Sequence, residues 1–464
     1  MLTGLIAVYL LWYSDDPRTD FIPLNIAGPV ALGIILLLGA WRQVKNDPLS
    51  IWTPLLWFRI ATAVYFGLGS IVPYIGNEAT AQWVRTAYDF SEREAFKVGL
   101  ITLLCVLTVL LTAALFSSEM PTRQQRAGVW LNQNRSLTIY FAIVLLLLGS
   151  YIRYIIILPV SLGLSHFLPG SITPLTTIYA IGIYLLILYG LREDIRFVFI
   201  ASVLIFIDFW IQLLTFAKTE VLVTLIFSYL AVLHHSITIK RILIGIALIG
   251  YIYIQIAPIV VYGRDELARI NNSSVGSLDQ RLNILKSYFE VGPKAVQEGD
   301  LQQGLARLCY VDYATRVVSW YDSGQPGNSL DNLAYVLIPR LLWPEKPVIS
   351  AIGNDLYLAT TGQEGNSTAA GLFAESYWIL GWAGIPALMI PYSLIMAYLS
   401  CYCLRVMAAE RWIHLPAVLC SVYLGGRPDG TLIVDVFGKG VIVFAFIVIC
   451  SVIEKVLIRK TANR

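Results

Sequence analysis

The sequence predicts an all-α protein that crosses a membrane many times, and three observations carry that prediction. Charged residues make up only 14 % of the 464-residue chain, against roughly a quarter in soluble globular chains. Much of the apolar surface must therefore face lipid. Apolar stretches recur along most of the chain at about the 20 residues a helix needs to cross the hydrocarbon layer. The Lys and Arg of the short connections fall in alternate loops, the asymmetry that sets orientation in a bilayer. Hydrophobic residues reach 57 % and mean hydropathy is +0.69. A net charge of +3 gives no electrostatic footprint for nucleic acid.

The first apolar run, Leu2–Tyr13, is followed by Ser14-Asp15-Asp16. It lacks a small-residue cleavage site, so it reads as a short first span rather than a cleaved leader. About twelve spans are predicted, near 1–13, 22–41, 51–73, 97–117, 137–157, 173–190, 195–216, 220–235, 240–262, 378–400, 411–425 and 431–454. The first and the eleventh carry the weakest signal. With this count, Arg42 and Lys45; Arg123, Arg126 and Arg135; Arg192 and Arg196; Lys240 and Arg241; and Arg405 and Arg411 all fall on one side. Lys455, Arg459, Lys460 and Arg464 of the tail join them. That basic side is the expected cytoplasmic side, with both termini on it.

The division expected is a bundle of about nine spans over 1–262, an external domain over 263–377, and about three spans over 378–464. Within the external stretch, Leu301, Leu305, Leu308, Val311 and Val318 recur at helical spacing, which predicts an amphipathic helix. Asp312 and Arg316, four apart, are expected to pair on its surface. Ser323-Gly324-Gln325-Pro326-Gly327-Asn328 predicts a turn. Cys309 is the only cysteine in the stretch, so no disulfide closes within it, and the others read as apolar packers.

The sequence holds no P-loop, HExxH, GxSxG or paired CxxC. None of His166, His234, His235 and His414 lies in the external stretch, which argues against a histidine-based metal or triad site there. That stretch is instead rich in arginine and lysine: Arg264, Arg269, Arg281, Arg307, Arg316 and Arg340, with Lys286, Lys294 and Lys346. Guanidinium groups stay charged and grip phosphate in a bidentate way. The alternative is simple solvation of the loop, where acidic residues are interspersed. Arg264, just after a predicted span, is either a phosphate ligand or a snorkelling anchor.

In Leu337-Ile338-Pro339-Arg340-Leu341-Leu342-Trp343-Pro344-Glu345-Lys346-Pro347 three prolines exclude an ordinary helix. The segment reads as a rigid apolar strip along the membrane face that carries Arg340 and Lys346. Next comes Ala370-Gly371-Leu372-Phe373-Ala374-Glu375-Ser376-Tyr377-Trp378, then Gly381-Trp382-Ala383-Gly384. A carboxylate at the mouth of a span is costly unless it is paired or functional. Glu375 therefore reads either as a general base for a hydroxyl or as a partner that holds the loop down. Trp320, Tyr321, Trp343, Tyr357 and Trp378 are candidates for stacking on sugar faces or for interfacial anchoring. Asp208 lies mid-span, and Arg427 lies in Gly425-Gly426-Arg427-Pro428-Asp429-Gly430. Asp435 and Lys439, one turn apart, are expected to neutralise each other.

The two segments over 332–384 resemble the Wzy-type polysaccharide polymerases of bacteria. The likeness rests on the many spans, a large late external loop, the Pro-Arg…Pro-x-Lys-Pro strip and the Gly…Glu…Gly-x-x-Gly stretch. It implies the all-helical, GT-C-like membrane glycosyltransferase class and a metal-independent reaction without cofactor. The implied reaction moves a glycan from undecaprenyl pyrophosphate onto a lipid-linked repeat unit at the outer face of the plasma membrane. A chain-length regulator and a flippase are the partners implied. Glu375, Arg340 and Arg264 would then be catalytic, with Lys346, Arg316, Arg307, Arg427, Tyr377 and Trp343 binding substrate. The O-antigen ligases share this shape but use a histidine in the loop. A transporter or flippase of lipid-linked oligosaccharide is the other alternative, and would draw on Asp208, Asp435 and Lys439.

Overall fold

The computed structural model describes residues 1–13, 20–75, 91–117, 135–164, 173–216, 218–271, 276–291, 308–333, 343, 353, 356, 358, 368–409 and 411–462. Among these the secondary structure is helical throughout, with no strand. The chain forms two compact units, Met1–Ala127 with Leu305–Arg464, and Gly128–Gly304. This is a division by packing rather than by side of a membrane.

The first unit begins with α1 (Leu2–Trp12), α2 (Ile22–Asn46), α3 (Pro54–Ile75) and α4 (Glu92–Ser117). The second unit holds α5 (Leu137–Ser161), α6 (Thr177–Arg192), α7 (Arg196–Leu214), α8 (Lys218–His235), α9 (Ile239–Asn271) and α10 (Leu278–Val291). The chain then returns to the first unit with α11 (Val311–Asp322), α12 (Leu372–Leu380), α13 (Gly384–Ala408), α14 (Leu415–Gly425) and α15 (Lys439–Ala462).

Each of the twelve predicted apolar stretches is helical. Among the described residues, eight helical stretches are long and apolar enough to cross a membrane, and four apolar helices are shorter. The chain is thus a membrane-embedded α-helical protein. Helix α7 shows why in its side chains, for Phe199, Phe206, Ile207 and Trp210 are all exposed. A run of that kind has no place in water. Helix α6 is the converse: it is buried along nearly its whole length, between α5, α7 and α8. At the α5–α6 contact Gly149 meets the backbone of Tyr179 so closely that an added Cβ would lie 2.4 Å from its nitrogen. Close backbone approach through small residues is how helices associate where lipid removes the hydrophobic drive.

Two boundaries differ from expectation. Helix α9, with Pro258 inside it, does not stop near residue 262 but runs to Asn271. Arg264, expected just after the apolar span, therefore still lies within the helix. The stretch expected to start near 378 begins at Leu372 and breaks at Gly381 before α13, so Glu375 lies within a helical turn. Of the predicted amphipathic helix, Val311–Asp322 forms with Val311 and Val318 buried, while Leu301 and Leu305 lie outside the described residues. Asp312 is only 3 % exposed, so the expected surface pair with Arg316 does not form. Its Oδ1 instead accepts from the Tyr313 N–H at 2.7 Å, at the helix N-terminus. The Ser323–Asn328 turn is present, with Gly324 at φ +85° and the Gly327 N–H donating to the Trp378 carbonyl at 2.9 Å.

Candidate functional site

The site grows from the start of α12. Gly371 adopts φ +80° and Gly381 φ +61°, both in the left-handed region where a Cβ is strained. These two residues delimit the helix that carries Glu375. The Leu372 N–H, unpaired within its own helix, donates to the Pro428 carbonyl at 3.0 Å, which fastens α12 to the Gly425–Gly430 loop. One turn on, Glu375 is buried and its Oε2 accepts the Leu432 N–H at 2.6 Å. A carboxylate in the first turn of a helix is also favoured by the helix dipole.

The Gly425–Gly430 loop and the π-helical turn Leu432–Gly438 that follows it supply the rest. Arg427 donates through Nε to Asp429 Oδ1 at 3.1 Å and through Nη1 to the Tyr423 hydroxyl at 3.3 Å. Its Nη2 lies 3.9 Å from Asp435 Oδ1. Lys439 pairs with that same oxygen and lies 4.8 Å over the Tyr423 ring. Asp435 Oδ2 accepts the Thr431 N–H at 2.9 Å. From α11's side, the Tyr310 hydroxyl donates to Asp429 Oδ2 at 3.1 Å. Burial and the neighbouring Asp429 push the Tyr310 phenol up, so it remains a donor. Burial works to lower the Arg427 guanidinium, but Asp429 and Asp435 outweigh it and hold it charged.

This cluster contains three carboxylates, Glu375, Asp429 and Asp435, against two cations, Arg427 and Lys439. With all five ionised it holds one negative charge more than it can neutralise, and it accommodates one proton readily. The pairing of Asp435 with Lys439 is the one expected from their spacing. The meeting of Glu375 with this loop is not visible in the sequence, because 57 positions separate Glu375 from Leu432.

Beside it in the same unit stands an aromatic group. Tyr377, also buried, donates to Asp322 Oδ1 at 2.8 Å, and Lys97 reaches Asp322 Oδ2 at 2.5 Å. The Lys97 ammonium lies 4.7 Å over the Tyr377 ring and 5.7 Å over Trp382. A cavity of about 310 Å³ opens here, lined by Tyr13, Arg93, Glu94, Lys97 and Asp322 among others. Lys97 is a residue that sequence reasoning passed over, for it looks like the ordinary charged edge of a span. Arg316 lies over the Trp320 ring at 5.6 Å, and Trp343 is exposed. Arg307, Arg340 and Lys346 lie outside the described residues.

Arg264 belongs to the other unit. Its Nε donates to the Phe216 carbonyl at 3.0 Å, just past the C-terminus of α7. Arg281 shares the task. It is 1 % exposed and donates to the carbonyls of Gly276, Leu214 and Ser161 at 3.0, 3.2 and 2.7 Å. Burial and then the adjacent Arg264 lower its pKa to about 10. Cations that satisfy the last carbonyls of a helix are stabilising, and this is the work the structure gives both arginines.

The second unit also contains a buried ion pair that the sequence half concealed. Asp208 Oδ1 lies 3.2 Å from Arg153 Nε, with both side chains at most 2 % exposed. The Tyr154 hydroxyl donates to Asp208 Oδ1 at 2.7 Å and Thr224 to Oδ2 at 3.1 Å. Asp208 stands mid-span in the sequence. Arg153, alone in an apolar stretch, was the signal that would have found its partner. Among the described residues no group of three or more His, Cys, Asp or Glu side chains is placed to hold a metal. No family model, curated protein or solved structure matches this chain.

Proposed function

We propose that this chain is a glycosyltransferase of the bacterial plasma membrane that polymerises undecaprenyl-pyrophosphate-linked oligosaccharide repeat units at the outer face. On this reading about twelve helices span the bilayer, the basic loops and both termini are cytoplasmic, and the fold is of the GT-C-like class. The observation that carries the proposal is that Glu375 accepts the Leu432 N–H of the same π-helical turn whose Asp435 pairs with Arg427 and Lys439. It joins an acid–base group to cations suited to a diphosphate.

The chemistry follows from those groups. The acceptor's hydroxyl oxygen attacks the anomeric carbon of the donor glycan. The bond from that carbon to the pyrophosphate oxygen breaks, and undecaprenyl pyrophosphate leaves with the bonding pair. Glu375, oriented by the Leu432 N–H, takes the hydroxyl proton. Arg427 and Lys439 stabilise the charge that develops on the leaving group. The incoming diphosphate displaces Asp429 and Asp435 from these cations. Arg340, Lys346 and Arg307 of the external stretch bind the same diphosphate, while Arg316, Tyr377 and Trp343 line the approach for sugar. Arg264 is assigned no catalytic part, because its Nε is engaged by the Phe216 carbonyl.

A transporter of lipid-linked oligosaccharide is favoured by one observation. Helix α14 has 11 residues, about 17 Å at 1.5 Å per residue, and ends at Gly425-Gly426, with Asp435 and Lys439 in the next spanning stretch. Charged groups at an interrupted helix are where transporters bind their cargo. One experiment separates the two. Purified protein is given synthetic undecaprenyl-pyrophosphate repeat units in detergent. Wild type should build a ladder of products, and Glu375→Gln, which keeps the hydrogen bond from Leu432, should build none. A ladder from Glu375→Gln equal to that of wild type would refute the role of the carboxylate. The lack of any ladder from wild type, with units trapped inside cells that lack the protein, would favour the transporter.

A further inference from the structure

A groove of about 370 Å³ runs along the C-terminal half of α13 in the first unit, with Phe116 at the end of α4 as its other wall. Its floor and sides are Leu394, Ala397, Tyr398 and Tyr402, and Arg405 and Arg411 stand at one end. The volume falls in the range of sites that enclose small organic ligands, roughly 300–1,000 Å³. Phe116 and Tyr398 are 59 % and 52 % exposed, so the apolar part opens toward lipid.

The two arginines differ. Arg411 is paired: its Nε donates to Glu454 Oε1 at 2.8 Å, and its Nη2 reaches Glu454 Oε2 and lies 2.9 Å from His414 Nε2. Its Nη1 has no hydrogen-bond partner among the described residues. Arg405 is exposed, and its side chain has neither a hydrogen bond nor an ion-pair partner among the described residues. Among the described residues, two guanidiniums against one carboxylate leave the polar end with a surplus of positive charge. A cationic end joined to an apolar trough matches one class of molecule, a phosphate monoanion attached to an acyl chain. Basic pockets between spanning helices on the basic side of a membrane protein bind anionic headgroups in this way.

We propose that this groove holds one anionic phospholipid. Its phosphate is gripped by Arg405 and the free Nη1 of Arg411, and an acyl chain lies on Phe116, Leu394 and Tyr398. The site stands apart from the Glu375 cluster and does not depend on any reading of what that cluster does.

Native mass spectrometry of the intact protein in detergent tests this, with phosphatidylglycerol or phosphatidylcholine added as probes. Wild type should retain a single phosphatidylglycerol through mild activation and retain phosphatidylcholine far less. Arg405→Gln should lower phosphatidylglycerol occupancy about tenfold, the scale of losing a charge-assisted contact to phosphate. Arg405→Lys should lose less. Tyr398→Ser, at an exposed position, should weaken retention through the acyl chain while leaving the charge intact. Equal retention of the two lipids, or an unchanged adduct in Arg405→Gln, would overturn the proposal. Competition by millimolar inorganic phosphate would also overturn it, by showing a site for a soluble anion.

Discussion

Removing Arg153 should destabilise the second unit severely, and the structure sets the scale. Arg153 and Asp208 are both nearly fully buried and 3.2 Å apart. Arg153→Met keeps most of the side-chain length, so little cavity opens, but it strands the Asp208 carboxylate. Tyr154, Thr224 and Gln212 would still donate to that carboxylate, yet they are neutral. Breaking a buried pair by removing one partner costs about 3–5 kcal/mol, whereas replacing both with neutral groups is often close to neutral. The expected result is a loss of about 4 kcal/mol for Arg153→Met and recovery of most of it in Arg153→Met/Asp208→Asn. Equilibrium unfolding of the purified protein in mixed detergent micelles, across the four members of the double-mutant cycle, measures this. A single mutant within about 1 kcal/mol of wild type would refute the reasoning. So would a double mutant as unstable as the sum of the two singles.

Two further predictions concern the first unit. Burial raises the Asp312 carboxyl from 3.8 to about 7, so between those values the folded state holds a proton that the unfolded state has released. Stability should therefore fall as pH rises through that window and level off above about 7, by a few kcal/mol at most. Asp312→Asn should flatten that slope in a pH series of thermal unfolding, and an unchanged slope would refute it. At Gly430 an added Cβ would lie 2.3 Å from Asp435 Oδ2. Gly430→Ala should push that carboxylate off Lys439 and the Thr431 N–H, cost about 1–3 kcal/mol, and abolish any activity of the cluster. Full activity and stability in that variant would show that the cluster tolerates rearrangement.

The helices were legible because each is a local matter. A run of apolar residues of spanning length forms a helix whatever its neighbours do, since no other backbone arrangement satisfies its polar groups in lipid. The Asp435–Lys439 pair was legible for the same reason, its partners lying one turn apart. The turn at Ser323–Asn328 followed from its glycines and proline. The helix-end contacts of Arg264 were not legible. A helix end judged from hydropathy falls where polar residues begin, but α9 continues through Gly263-Arg264-Asp265 to Asn271, and there the guanidinium meets the exposed end of α7.

Composition and span periodicity alone determined that the chain is an α-helical membrane protein, and local spacing determined its short-range pairs. The tertiary structure alone decided that Glu375 meets Leu432, that Tyr310 reaches Asp429 across 119 positions, and that Arg153 neutralises Asp208. The physical reason is the solvent. In water a helix records its packing face as an apolar stripe, but a helix in lipid is apolar all round. Its partners are chosen by close backbone contact and buried polar pairing, and both are fixed only when the helices come together.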